Sequence, residues 1–60
     1  MKWYNFETID RGVKEELAVY LKTQSVYYEV SSAGNGWHFE INTDAGGATK
    51  IIGELLKMGL

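Results

Sequence analysis

The sequence predicts a small α+β domain, a β-α-β-β-α two-layer sandwich in which an antiparallel sheet of order 1-3-2 carries two helices on one face. Three observations support this. Apolar and polar residues alternate from Ser25 to Asn42, broken only around Gly34-Asn35-Gly36, which is the pattern of a hairpin. Apolar residues recur at helical spacing on either side of that stretch. A short alternating aromatic run, Lys2 to Glu7, precedes both helices.

Lys2 to Glu7 places Tyr4 and Phe6 on one side and Trp3 and Asn5 on the other, which suits a strand better than a helix start. Asp10 is placed to act as an N-cap. Val13, Leu17, Tyr20 and Leu21 then recur at i, i+4, i+7 and i+8, the stripe of an amphipathic helix running to about Lys22, with Lys14, Glu15 and Lys22 toward water. Gly12 is a weak spot in its first turn, costing roughly 1 kcal/mol relative to Ala if interior.

In the hairpin, Val26, Tyr28 and Val30 share a face with Trp37, Phe39 and Ile41, while Tyr27, Glu29 and Ser31 share the other with His38, Glu40 and Asn42. A slip of one residue would mix the faces, so only even-length loops are compatible with the pattern. A two-residue Gly34-Asn35 turn of type II′ pairs Val30 with Phe39 and Tyr28 with Ile41. An Asn35-Gly36 turn of type I′ instead pairs Val30 with Ile41. The first is favoured because it matches large apolar partners along the inner face.

Thr43 or Asp44 caps a second helix, whose apolar stripe is Ala48, Ile51, Ile52, Leu55, Leu56 and Met58. Gly53 interrupts it, and a costly interior glycine suggests a close crossing with the first helix or the sheet. The natural assembly makes the first two strands parallel through a right-handed helical crossover and inserts the third antiparallel between them. Both helices then seal Tyr4, Phe6, Val26, Tyr28, Val30, Trp37, Phe39 and Ile41. Were Lys2 to Glu7 only an extended arm, the remaining two-stranded sheet would be marginal and would favour dimerisation.

Sixty residues make one domain, 1–60, near the lower size limit for independent folding. With no cysteine and one histidine, neither a disulfide framework nor a Cys/His zinc site can staple the fold, so stability must come from packing or a second subunit. Six basic against eight acidic side chains give no basic excess, which disfavours non-specific nucleic-acid binding. There is no apolar leader-like run near the N-terminus and no stretch approaching the roughly 18 apolar residues of a membrane span. A cytoplasmic location is the default expectation, and the absence of cysteine is compatible with it.

The open sheet face should display Trp3, Tyr27, Glu29, Ser31, His38, Glu40 and Asn42. Exposed tryptophan and tyrosine are typical of recognition patches, although both also serve simply as strand formers. Glu29 and Glu40 lie directly opposite one another in the favoured register, an arrangement that is destabilising unless compensated by Lys2, Arg11, a partner's basic group or a cation. Their spacing of about 5 Å resembles that of retaining glycosidases, but an open sheet offers no cleft to hold a sugar or exclude water. His38 beside them is a single histidine where zinc takes three or four protein ligands, so no metal or other cofactor is expected.

Gly46, Gly47, Thr49 and Lys50 gather at the start of the second helix, where free N–H groups attract anions. The segment matches neither the P-loop nor GxGxxG, and small residues there serve close packing equally well. No Ser/His/Asp or Cys/His set can be assembled. The expected function is therefore a non-enzymatic protein-interaction module, an inhibitor, adaptor or homodimer of the kind encoded by small bacterial or phage accessory genes. It would contact another protein or a second copy of itself through Trp3, Tyr27, Glu29, His38 and Glu40. The alternatives are a nucleic-acid-binding domain that stacks bases on Trp3 and Tyr27, and anion or nucleotide binding at Gly46-Gly47.

Overall fold

The computed structural model describes residues 1–59. The chain forms β1 (Lys2–Thr8), α1 (Arg11–Thr23), β2 (Tyr27–Ala33), β3 (Gly36–Thr43) and α2 (Ala45–Lys57). The sheet has three strands in the order β1-β3-β2, and β3 is antiparallel to both neighbours. Lys2 to Thr8 is thus a strand and not an arm. It pairs with β3 along its whole length, from Lys2 opposite Thr43 to Thr8 opposite Trp37.

The hairpin adopts the favoured register. Val30 faces Phe39, Tyr28 faces Ile41, and Gly34-Asn35 makes the turn. Gly34 takes φ +57° while Asn35 keeps a negative φ, the pattern of a type II′ turn, whose twist matches that of the flanking strands.

Each helix begins on an aspartate that satisfies an otherwise unpaired N–H of the first turn. Asp10 accepts from Val13 N at 3.1 Å and Asp44 accepts from Gly47 N at 2.7 Å. The C-terminus of α1 is closed by Ser25 N donating to Lys22 O and Val26 N donating to Leu21 O, each at 3.1 Å. Ser25 sits there in the left-handed region, φ +56°, where glycine is usual. That closure turns Val26 back onto the core beside Leu21.

Leu17, Leu21, Phe39, Ile41 and Ile51 form the buried centre, with Phe6, Tyr28, Trp37, Leu55 and Met58 among the side chains packed around it. Val30, Ile52 and Leu56 were expected in this core and are instead exposed. Val30 lies on edge strand β2, with a sheet neighbour on one side only. For Ile52 and Leu56 the reason is width. Two helices side by side measure about 20 Å across with their side chains, against about 15 Å for three strands about 4.8 Å apart, so an outer helical flank overhangs the sheet.

Gly53 also departs from expectation. A Cβ built on it meets nothing within 4 Å, so no close crossing accounts for it. With open space and an ordinary helical backbone, Gly53→Ala is expected to stabilise the protein by about 1 kcal/mol. In a domain of this size that raises Tm by roughly 4–8 °C in a thermal melt. An unchanged or lower Tm would mean that something approaches Gly53 closely in solution.

Candidate functional site

The face of the sheet away from the helices is built from three cross-strand rows. Trp3, Asn42 and Tyr27 form one, Asn5, Glu40 and Glu29 the next, and Glu7, His38 and Ser31 the third. Strand alternation puts all nine side chains on one surface. All five residues expected to bind a partner, Trp3, Tyr27, Glu29, His38 and Glu40, are brought together here.

The 1-3-2 order places Trp3 and Tyr27 on opposite edge strands, about 10 Å apart across β3. Their rings nevertheless meet over Asn42, edge to face, with centroids 5.9 Å apart and planes at 83°. Trp3 is 52% exposed and Tyr27 61% exposed, so neither folds into the core. Each ring restrains the other, which lowers the conformational entropy either would lose on contact with a partner.

Tyr27 also donates its hydroxyl proton to Glu29 Oε2 at 2.8 Å. Hydrogen bonding to the Glu29 carboxylate, reinforced by its charge, holds the phenol in its neutral form and raises the Tyr27 pKa. Tyr27 is accordingly expected to ionise above the usual value of about 10, with its favourable contact intact below that pH and lost as pH rises through the raised pKa. The difference between alkaline absorbance titrations of the parent and Tyr27→Phe isolates this one tyrosine of four. A difference curve centred at or below the usual value would show that the bond to Glu29 is not formed in solution.

Glu29 and Glu40 stand directly opposite each other, as the register requires. The basic groups expected to offset them, Lys2 and Arg11, do not reach them. Among the described residues the ion pairs are His38 with Glu7, at 2.9 Å, and Lys57 with Glu54, at 3.7 Å. Lys2 shares strand parity with Tyr4 and Phe6 on the helix side, and Lys14 lies over the Trp37 ring at 5.5 Å. No strand position on the open face is Lys or Arg. Glu7, which sequence reasoning left out of the site, completes the third row by accepting from His38 Nδ1. The parity of β1 alone would have placed it there, two residues beyond Asn5.

Gly46, Gly47, Thr49 and Lys50 lie at the N-terminus of α2, beside a hollow of about 400 Å³ that includes Asp44, Gly47 and Lys50 in its lining. The Asp44 carboxylate occupies the Gly47 N–H, and the Thr49 hydroxyl donates to Ala45 O at 3.0 Å. A Cβ on Gly47 would collide with the Thr43 hydroxyl, so close packing accounts for that glycine. An incoming anion would meet the carboxylate of Asp44, which argues against binding there.

Comparison of the chain with protein-family models, curated proteins and solved structures finds no match. The chemistry of the face must therefore be read from its own side chains. It is an exposed sheet surface with an aromatic pair at one end and three carboxylates and a histidine behind it. Among the described residues no three His, Asp or Glu side chains come together as a metal-holding group. The arrangement suits contact over an area better than chemistry at a point.

Proposed function

We propose that the protein is a non-enzymatic interaction module, an inhibitor or adaptor that binds another protein chain through its open sheet face. The observation that supports this is the mutually braced, exposed pair Trp3 and Tyr27, adjoining carboxylates that no lysine or arginine of the described residues neutralises. Aromatic side chains of this kind supply large contact area at small entropic cost and dominate binding energy at interfaces. Base stacking on the same aromatics is the weaker reading, because Glu29 and Glu40 in the next row would repel a phosphate backbone.

The double substitution Tyr27→Ser with Glu29→Lys tests the reading. Both side chains point away from the core, so the variant is expected to fold, while binding of a captured partner weakens by at least about tenfold. Affinity capture and analytical ultracentrifugation of parent and variant provide the measurement. Unchanged association in a folded variant would move the interaction to the helices or an edge strand.

A further inference from the structure

Deepening the reading of the open face as a protein-binding surface, on which it rests, we infer that its partner is a cationic protein segment carrying arginine, and not a second copy of this chain. Charge complementarity selects the occupant. The face carries Glu7, Glu29 and Glu40 on its three strands, and its strand positions include no Lys or Arg. Of the three, only Glu7 has a basic neighbour, His38. Two copies stacked face to face would bring these acidic rows against each other in a water-poor interface, where like charges repel more strongly than at a wet surface. Among the described residues the one basic group at the face's strand positions, His38, is paired with Glu7, which leaves Glu29 and Glu40 unrelieved.

An arginine satisfies the same arrangement. Glu29 and Glu40 sit side by side, with one hydrogen bond to Glu29 supplied by Tyr27. A planar guanidinium can donate to both carboxylates through its fork of N–H groups. The aromatic row lies one step along the sheet, about 7 Å away, the rise of two strand residues. That is within the reach of an arginine side chain whose apolar stem rests on the Trp3 and Tyr27 rings while its guanidinium sits between the carboxylates. Lysine supplies the charge but not the planar fork that reaches two carboxylates at once, so arginine is preferred.

The test uses the whole chain, isotope-labelled for amide NMR, titrated with a blocked arginine-glycine repeat peptide and with lysine-glycine and glutamate-glycine versions. The arginine peptide is expected to give saturable shifts at Tyr27, Glu29, His38, Glu40 and Asn42 and at the Trp3 indole. The lysine peptide should bind more weakly and the glutamate peptide not at all. Glu29→Gln with Glu40→Gln removes the charge without a bulky change and relieves the repulsion between the two carboxylates, so the variant should stay folded. It should bind the arginine peptide at least about tenfold more weakly. Three results overturn the inference: shifts centred on the Glu15-Glu16 surface of α1, arginine-peptide affinity unaffected by the double Gln change, or a parent dimer that Tyr27→Ser with Glu29→Lys dissociates. If a natural partner is lost by that last variant but kept by the double Gln variant, the interaction face stands and the cationic partner falls. If neither variant affects the natural partner, the face itself is wrong.

Discussion

Phe39→Ala is expected to unfold the protein near room temperature. Phe39 is fully buried at the centre of the middle strand, its ring 6.4 Å from that of Phe6 and 6.2 Å from that of Tyr28. Leu17, Leu21 and Ile51 cover it from the helices. Truncating such a residue costs about 3–5 kcal/mol, from lost transfer energy and from the cavity left behind. A chain of this length has roughly 3–9 kcal/mol of stability in total, so the loss is comparable to the whole. Near-ultraviolet circular dichroism during a thermal melt measures it. Cooperative melting close to the parent temperature would show that Phe39 does not anchor the core.

Gly36→Ala is expected to have the next largest effect, for a different reason. Gly36 opens β3 opposite Ala33 and is buried because the chain leaving β1 closes over it. A Cβ there would collide with the carbonyl oxygen of Thr8 and lie 2.8 Å from Ile9 Cα. These are backbone atoms, which cannot swing aside as a side-chain tip can. The end of β1 must therefore lift, loosening the Thr8–Trp37 pair. The expected cost is about 1–3 kcal/mol, the range for overpacking at a tight contact. Faster amide hydrogen exchange around Thr8 and Trp37, with a lower Tm, is the measurable outcome. Equal protection and an equal Tm would mean that the crossing over Gly36 is loose in solution.

Much of this architecture was legible in the residues themselves. Alternation assigned Tyr28, Phe39 and Ile41 to one face and Tyr27, Glu29, His38 and Glu40 to the other. Parity reduced the hairpin to two registers, and the match of Val30 with Phe39 chose between them. Asp10 marked the first helix start and Thr43 or Asp44 the second, because a short polar side chain can satisfy a first-turn N–H, and the structure caps the second helix with Asp44. The five residues expected at the candidate site followed from the same alternation, which is a local property of strands.

What the sequence by itself determined, then, is which side of each element faces the core, because side-chain direction repeats every two residues in a strand and every 3.6 in a helix. Only the tertiary structure decided which outward residues meet. Trp3 and Tyr27 touch because the two registers set both opposite Asn42 and their rings lean together over it, and Glu7 finds His38 because β1 pairs with β3 in that register. The helical stripe could not reveal that Ile52 and Leu56 overhang the sheet, nor that Gly53 faces open space. Nor could the glycine pattern reveal that the chain crosses over Gly36. Periodicity reports the direction of a side chain from its own backbone, whereas contact and exposure depend on how wide the layers are and how their edges align.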